Sequence, residues 1–307
     1  MIDGTGSPSI EVRPLSGGDR AALEALLMRN PPHNLFPLSA ILERGLADSA
    51  VTPQGLPWAY GAVRDGELVG AVFAFRGTGG IYHTPGDDET LRTLAAVAAD
   101  RASAGSLSLL SGHASQIEPL LSLITEVRIG LTDSCYFRTL YPANMARIDM
   151  IDGFRQPRPA SEDDMERLID FYEIGFYSLA NLPSRSAWHN RLSEQLAFRT
   201  LFVVENAQGE VVSAALSSAE AGDAAMLGGV ATRELYRGKG LSALCVGGLC
   251  SYLFDKGFVS VSLFYLENNA AAGRVYDKLG FSYGGKWLLT PLGLSAAFGP
   301  LLGLRTR

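Results

Sequence analysis

The chain has 307 residues, of which 47% are hydrophobic and 19% charged, and its formal net charge is −6. This length predicts two domains of about 150 residues, each able to bury a core. The composition is that of a globular protein rather than a disordered or fibrous one, and no basic surplus indicates a nucleic-acid-binding face.

Neither a metal centre nor a membrane segment is predicted. The three cysteines lack a C-x-x-C spacing, and the four histidines are scattered along the chain. Residues 1–8 do not form a secretory leader, and the apolar stretch 291–304 is short and contains Pro and Gly. We therefore expect a cytoplasmic protein without metal, nucleic-acid partner or membrane contact, and the sequence leaves the oligomeric state open.

Strand and helix signals alternate along the first half. Apolar and β-branched runs predict five strands, at residues 10–15, 58–63, 68–75, 80–83 and 107–110. The Asp-Gly pair at 65–66 predicts a hairpin between the second and third of them. Helices are expected after a cap at 17–19, at 87–102 and at 115–125, whereas Pro31-Pro32 indicates a break.

The second half repeats this order of elements. Prolines and Asp152-Gly153 predict a linker, so we place one domain at 1–152 and the other at 153–307. Helices are predicted after the cap at 161–164, from about Ser184 or Ser186, after Gly240, and from Asn269 to Gly280. Strands are predicted at 198–205, 211–218, 224–230, 259–264 and 283–290.

One turn of the second half favours anion binding. A predicted strand leads through Arg237-Gly-Lys-Gly-Leu-Ser242 into a helix. Gly238 and Gly240 have no side chains to keep a ligand from the backbone, and the N–H groups that open the helix lack carbonyl partners inside it. Arg237 and Lys239 add positive charge at the positive end of the helix dipole. A diphosphate is therefore the predicted ligand.

Three loop patterns and one purely structural explanation compete for this turn. A Walker loop needs Gly separated by four residues from Gly-Lys and Ser or Thr directly after it, but Arg233 and Gly240 stand there. A dinucleotide fingerprint fits Gly238-x-Gly240-x-x-Ala243, with Glu267 ending the next strand, but that unit normally opens a domain with several further strands. The fourth alternative is a tight strand-to-helix connection without a ligand.

The third pattern is a resemblance to a known family. Arg237-Gly-Lys-Gly-Leu-Ser242 resembles the Arg/Gln-x-x-Gly-x-Gly/Ala pyrophosphate loop of the GNAT acetyltransferases, with Ser at the last small position. The stretch from Asn269 to Phe281 resembles the Asn-x-x-Ala…Tyr-x-x-x-Gly-Phe signature of the same family, and Tyr276 has the expected spacing from Asn269. The resemblance covers roughly residues 154 to 290.

The resemblance implies an α/β (mixed α+β) fold with two tandem GNAT-like domains, each a central mixed, largely antiparallel sheet flanked by helices. The first half shares the order of elements but carries Thr84-Pro-Gly-Asp-Asp-Glu89 in place of the phosphate turn. Three carboxylates at this position repel a diphosphate. We therefore expect a degenerate GNAT-like domain at 1–152 and an acetyl-CoA-binding domain at 153–307.

The family's mode of cofactor binding implies the ligand contacts. Where the sheet parts beside the turn, Val230, Ala231 and Thr232 would offer backbone groups to the pantetheine arm. The other implied contacts are Arg237, Gly238, Lys239, Gly240, Leu241, Ser242, Asn269 and Tyr276. The apolar residues between the first two helices of this half form either a buried wall or part of an acceptor pocket, and they are Phe176, Tyr177, Leu179 and Leu182.

Acyl transfer to an amine sets the catalytic roles. The neutral amine attacks the thioester, an oxyanion forms, and the thiolate leaves. Backbone N–H near Val230 is predicted to stabilise the oxyanion. Tyr276 is predicted to act as general acid. Alternatively, Tyr276 is a core aromatic residue whose hydroxyl only binds the cofactor sulfur. The base is left open among Asp223, Glu220, Glu267 and a water relay.

Two functions remain possible. The first is an N-acetyltransferase that uses acetyl-CoA to acetylate the primary amine of a small or amino-acid-like molecule. The second is a non-catalytic acyl-CoA-binding module that senses the cofactor or recruits a partner. The intact Tyr276 favours the enzyme, and the lack of a carboxylate on the strand 224–232 favours the sensor.

Overall fold

The computed structural model describes residues 9–47, 55–175 and 184–293. They form two compact units: the first contains the residues up to Cys135 together with those from Gly285 to the end of the described chain, and the second runs from Tyr136 to Gly284. Some predictions fall outside the described residues: the N-terminal residues 1–8, most of the apolar stretch 291–304, and the wall or pocket formed by Phe176, Tyr177, Leu179 and Leu182.

Strands and helices alternate along both halves of the described chain. The strands are β1 (Glu11–Pro14), β2 (Trp58–Arg64), β3 (Glu67–Phe75), β4 (Thr78–His83), β5 (Leu109–His113), β6 (Asp133–Leu140), β7 (Arg158–Pro159), β8 (Leu201–Glu205), β9 (Val211–Ala221), β10 (Ala224–Thr232), β11 (Ser260–Leu266) and β12 (Ser282–Pro291). The helices are α1 (Arg20–Leu27), α2 (Pro31–Arg44), α3 (Asp88–Ser103), α4 (Ala114–Leu121), α5 (Met165–Gly175), α6 (Arg185–Phe198), α7 (Leu241–Asp255) and α8 (Ala270–Leu279).

The first unit is built on a mixed sheet. Its strands lie in the order β1-β2-β3-β4-β5-β12, in which β4 and β5 run parallel and the other neighbouring pairs are antiparallel. The predicted hairpin between β2 and β3 is present. Helix α3 packs against β2, β3 and β4, and its Leu91 and Leu94 enter the core of the unit.

The second unit repeats this plan. Its strands lie in the order β6-β11-β10-β9-β8-β7, and β10 and β11 form the parallel pair. Successive residues of a strand face opposite sides of a sheet, and accordingly Val212 packs in the core under α7, whereas Val211 packs in a second core under α5 and α6. The predicted fold class, a mixed and largely antiparallel sheet flanked by helices in each half, is confirmed.

The last strand of each half-chain belongs to the other unit. Strand β12 follows α8, but its residues from Trp287 onward pair with β5 of the first unit, and the Trp287 indole donates to Ser111 Oγ over 3.0 Å. Strand β6 follows α4, but Leu140 packs in the core under α7, and Thr139 Oγ1 lies 2.9 Å from Ser262 Oγ of β11. The strand predicted at 283–290 therefore exists and completes the first unit. Whether a cut between 152 and 153 separates independently folding domains stays a prediction.

Both units begin with the same seven-residue pattern, R-P-x-S-x-x-D, at residues 13–19 and 158–164. In each, the Arg donates two hydrogen bonds to the Asp: from Arg13 to Asp19 over 3.0 and 2.7 Å, and from Arg158 to Asp164 over 2.8 and 2.7 Å. These guanidinium groups lower the pKa of both carboxyl groups, so the Asp side chains are charged at neutral pH. The repeat is visible in the sequence, but the sequence analysis detected only the repeated order of elements.

Helix α2 and strands β6 and β7 were not predicted from the sequence, and one interpretation is corrected. Pro31 and Pro32 do not break the chain into a loop; they open helix α2, which runs to Arg44. The N–H groups in the first turn of a helix have no acceptor within the helix, so the N–H that proline lacks costs no hydrogen bond there. The fixed φ of proline also suits a helical start. No strand was predicted for β6, although Cys135 and Phe137 alternate on it as buried residues.

Leu288→Ala is expected to destabilise the first unit, although Leu288 lies in the second half of the sequence. Leu288 is 6% exposed and packs in the core of the first unit. Truncating a buried leucine costs about 2–5 kcal/mol, so hydrogen–deuterium exchange should accelerate in α3 and β5 more than in α7 and β11. The matched control is Leu279→Ala, at a fully buried position in the second unit, which should show the reverse pattern. Accelerated exchange confined to the second unit in the Leu288 variant would contradict the assignment of β12.

Candidate functional site

The parallel strands β10 and β11 stay paired for only part of their length. Ala224–Met226 pair with Ser260–Ser262, whereas the two strands run on to Thr232 and Leu266. Beyond Met226, β10 keeps its pairing with β9 on the other side. The carboxyl ends of the two parallel strands are therefore not paired with each other, and this unpaired stretch between β10 and β11 is called the gap.

A bulge interrupts β10 at this gap. Gly228 pairs with Leu216 and Ala231 with Ala214, so that two residues, Gly229 and Val230, oppose a single residue of β9. Gly229 has φ +55, a conformation that favours glycine. The pair Gly228-Gly229 inside a predicted strand is the sequence signal for such a bulge, and the sequence analysis did not use it. The backbone at Val230 is consequently available to a ligand.

The predicted phosphate turn opens helix α7. Gly240 is the residue that precedes the helix, with φ +84, and Gly238 has φ +78, so both positions favour glycine. The first hydrogen bond of the helix runs from Leu244 N–H to Gly240 O over 3.0 Å, and no side chain caps the helix start. The N–H groups of residues 241–243 therefore have no acceptor inside the helix. Leu241 is 1% exposed, and its side chain packs in the core of the second unit.

Positive charge surrounds the turn. The side chains of Arg237 and Lys239 are exposed. Arg237 Nε donates to Thr232 O over 3.3 Å, and Lys239 Nζ lies 5.3 Å from the centre of the Tyr236 ring. Both contacts leave donors free on each side chain, because a guanidinium has five N–H groups and an ammonium has three. Together with the helix dipole, these groups suit a diphosphate.

Tyr276 lies on the buried face of α8, close to the gap. Its ring centre is 5.3 Å from that of Tyr265, which belongs to the part of β11 beyond the parallel pairing, and 5.6 Å from that of Phe281. Burial raises the pKa of the Tyr276 hydroxyl, and the neighbouring Tyr265 and Cys250 raise it further. Tyr276 is therefore protonated at neutral pH and can donate a proton.

Asn269 and Gly280 delimit α8 as the sequence predicts. Asn269 Oδ1 accepts from Ala272 N–H over 3.1 Å, which caps the helix start. Gly280 has φ +91 and ends the helix; a Cβ there would lie 2.1 Å from Asn144 O. With its oxygen engaged in the cap, Asn269 can offer a ligand its amide N–H groups.

Two of the candidate bases lie at the far end of β10. Asp223 precedes the strand, and its main-chain O accepts from Val259 N–H over 2.7 Å. Val230 lies seven residue steps along the chain from Asp223, a distance of roughly 20 Å at the usual rise per residue. Glu220 lies on β9 opposite Ala225, at the same far end. Hydrogen-bond reach is required for proton transfer, so the structure leaves both carboxylates outside the group that it brings together around the bulge.

Glu267 lies at the near end. It directly follows β11, is half-buried, and precedes Asn269 by two residues. Because the strands are parallel, the end of β11 and the end of β10 at Thr232 lie at the same edge of the sheet. The structure thus brings Glu267 to the same edge as the bulge, the phosphate turn and Tyr276.

The equivalent helix start in the first unit is closed. Asp87 precedes α3, and its Oδ1 accepts from Thr90 N–H over 3.1 Å. Arg64 donates to both Asp87 oxygens over 3.0 and 3.1 Å, and it holds the Asp87 pKa down at about 2. A permanent carboxylate therefore occupies the position that a phosphate would take. In addition, Leu120 stands seven residues after the residue that caps α4, where the second unit has Tyr276 after Asn269.

The described residues contain neither a metal-binding group nor a membrane-spanning helix. None of the described His, Cys, Asp and Glu side chains form a group of three or more that could hold a metal ion. No helix in the described part of the chain is long and apolar enough to cross a membrane.

Comparison with known proteins identifies the fold. The model of the acetyltransferase (GNAT) family matches residues 162–281. Similar solved structures include a GNAT-family acetyltransferase from Colwellia psychrerythraea, at TM-score 0.61 and 14% identity over 92% of this chain and 99% of that one. A tandem GNAT protein from the clavulanic acid biosynthesis pathway has TM-score 0.64 and 13% identity over 92% of this chain and 98% of that one. A GCN5-related N-acetyltransferase from Sphaerobacter thermophilus has TM-score 0.61 and 15% identity over 94% and 98%, respectively.

At these identities the structural likeness concerns the fold alone, and no curated protein matches the chain in sequence. The family model covers the second unit's α5 to α8, including the phosphate turn and Tyr276. The structural matches extend over both halves of the chain. Residues 162–281 therefore match the acetyltransferase (GNAT) family model, and the chain has the fold of a tandem GNAT protein.

Proposed function

We propose that the protein is an N-acetyltransferase that transfers an acetyl group from acetyl-CoA to the primary amine of a small or amino-acid-like molecule. The observation that carries the proposal is the contrast between two helix starts. That of α7 is open, uncapped and flanked by Arg237 and Lys239, whereas that of α3 is closed by Asp87. Acetyl-CoA would therefore bind to the second unit. We expect it to act in the cytoplasm on a soluble acceptor, without nucleic acid or membrane.

The residues of the second unit fit the two ends of acetyl-CoA. The backbone of Gly238, Lys239 and Gly240 and the free N–H groups of residues 241–243 suit the diphosphate, with the charges of Arg237 and Lys239 beside them. The gap between β10 and β11 suits the narrow pantetheine arm, because the backbone of Val230, Ala231 and Thr232 borders it. The Asn269 amide N–H groups complete the proposed contacts at the far side of the gap.

The proposed reaction is direct attack in a ternary complex. The amine nitrogen bonds to the thioester carbon, the C–S bond breaks, the amine loses a proton, and the thiolate gains one. Backbone N–H at the β10 bulge would stabilise the oxyanion. Tyr276 would protonate the sulfur, since its hydroxyl carries a proton at neutral pH.

The amine proton has two proposed acceptors at the near edge of the sheet. Glu267 could take it directly or through a water molecule, since it is half-buried at the end of β11. Alternatively, no protein base is needed, because an amine with a pKa near 10 is neutral in about one molecule in a thousand at pH 7. Asp223 and Glu220 are not included, since both lie at the opposite end of β10.

A non-catalytic acyl-CoA sensor is the second candidate. It is favoured by the sequence Ala224–Thr232, which carries no carboxylate beside the proposed acyl site. Release of thiol from acetyl-CoA in the presence of a panel of primary amines distinguishes the two. Acetyltransferase activity requires amine-dependent thiol release by the full-length protein, whereas a sensor binds CoA and releases none.

Replacing Arg237 and Lys239 together by Glu should weaken CoA binding by about 2 kcal/mol or more, a factor of roughly 30, because two repelling charges would face the diphosphate. Calorimetric titration with CoA measures the change. The matched control is the double charge reversal of Lys256 and Lys278, two exposed lysines at the far ends of α7 and α8, which should leave CoA affinity unchanged. Unchanged affinity in a folded Arg237/Lys239 variant would place the diphosphate elsewhere.

Tyr276→Phe removes one hydroxyl and keeps the ring that packs on Tyr265 and Phe281. If the hydroxyl protonates the thiolate, kcat should fall on the order of 100-fold or more, with little change in CoA affinity. If the hydroxyl only holds the cofactor, affinity falls and kcat survives. Equal turnover of the two proteins at saturation would make Tyr276 a core residue without a catalytic role.

The pH dependence gives a second measure of the same role. A group whose pKa is raised stays protonated until the pH approaches that pKa, so Tyr276 as general acid loses no activity below about pH 10. The wild-type rate should therefore show no alkaline decline from Tyr276 between pH 7 and about pH 10. Tyr276→Phe should lower the rate by the same factor across this range. A wild-type decline near neutral pH that disappears in the Phe variant would contradict the assignment.

A further inference from the structure

A chain of hydroxyl groups connects the end of β10 to the phosphate turn. Ser213 on β9 is fully buried, and its Oγ donates to Ala231 O over 2.9 Å. The same Oγ lies 2.9 Å from Thr232 Oγ1, which in turn lies 2.8 Å from Ser242 Oγ in the first turn of α7. Three side chains from two strands and one helix are thereby joined in series.

Proton counting fixes the direction of this chain. A hydroxyl group has one proton to donate, and a main-chain carbonyl oxygen can only accept. Since Ser213 donates to Ala231 O, it must accept from Thr232. The Thr232 hydroxyl has then used its proton, so it must accept from Ser242. The Ser242 hydroxyl therefore donates toward Thr232 and has no proton left for a phosphate oxygen.

Thr232 is attached to both ends of the phosphate turn. Its main-chain O accepts from Arg237 Nε over 3.3 Å at the first residue of the turn, and its Oγ1 bonds Ser242 at the last. Beyond the bulge, β10 is tied to β9 by the residue pairs of Ala231 and Thr232 and by the hydrogen bond from Arg233 N–H to Val212 O over 2.9 Å. The side-chain bonds of Thr232 add a direct connection from this strand end to the turn.

We propose that Ser213, Thr232 and Ser242 are positioning residues, which hold the N–H groups of α7 at a fixed separation from the backbone at Val230. The inference rests on the proposed function, because these two backbone sites would bind the two ends of one acetyl-CoA molecule. A turn that is already ordered binds its ligand more tightly than one that the ligand must order. Ser242 thus contributes to binding through its backbone N–H, and its hydroxyl orients the turn.

The test compares two buried serines of the same strand. Ser213→Ala in the full-length protein should weaken CoA binding, measured by calorimetry, about fivefold to tenfold, because the hydrogen bond that connects Ser213 to Thr232 and the turn is lost. Ser217 is also fully buried on β9, but its Oγ accepts from Thr200 N–H over 2.9 Å and donates to Glu220, away from the turn. Ser217→Ala should lower the melting temperature and leave CoA affinity unchanged. Equal affinity losses in the two variants would overturn the proposal.

A double-mutant cycle separates orientation from direct contact. Ser242→Ala should weaken CoA binding as much as Ser213→Ala, and the double variant should be no weaker than either, because each breaks the same chain. Additive losses would show that the Ser242 hydroxyl contacts the ligand, which overturns the proposal. If Ser213→Ala does not fold, Thr232→Val replaces it in the cycle with the same expectation. Unchanged affinity in a folded Ser213 or Ser242 variant overturns the positioning role alone, whereas a wild type that binds no CoA overturns the proposed function as well.

Discussion

The proposed ligand site of the second unit depends on one constraint. The backbone N–H groups at the start of α7 have no acceptor inside the helix. A helix start that is neither capped by a side chain nor filled by a ligand leaves donors unsatisfied, and here the chain keeps it open with Gly240 at positive φ. Three neighbouring features add to the site at this uncapped helix start. The early end of the β10–β11 pairing provides a gap, the bulge at Gly229 turns backbone toward it, and the hydroxyl chain from Ser213 holds the turn in place.

The two units share one fold, and a few side-chain atoms at the helix start distinguish the unit proposed to bind a ligand from the other. The first unit has the same order of strands and the same kind of parallel pair, yet its helix start carries the Asp87 carboxylate, already bonded to Arg64 and to Thr90 N–H. This arrangement satisfies the helix start from within the chain, which stabilises α3 and places a negative charge where an anion would bind. The difference lies in side chains and not in topology, so the fold alone could not assign the site to one unit.

Sequence reasoning predicted the features that depend on local chemistry. The phosphate turn, the Asn269 cap and the Gly280 stop follow from residue type and spacing, and so do most strands. Sequence reasoning failed where the structure of a segment depends on distant residues, or where a residue's role depends on its position within an element. Pro31-Pro32 is compatible with both a loop and a helix start, and only the apolar residues that follow decide between them. That Asp223 lies far from Val230 becomes visible only once the direction of β10 is known. The exchange of the last strands depends on long-range pairing, for which a single sequence carries no local signal.

The exchanged strand β12 also has a consequence for the order in which the chain can fold during synthesis. Strand β5 ends at His113, but the partner that covers its free side begins to pair at Trp287, so well over a hundred residues must be translated in between. At a typical elongation rate of about 5–20 residues per second, the ribosome needs on the order of ten seconds or more for that stretch. Throughout that interval the nascent first half presents an unpaired strand edge, the kind of surface that recruits other chains. The architecture therefore delays completion of the first unit until β12 has been translated, and a product truncated before β12 would keep this strand edge exposed.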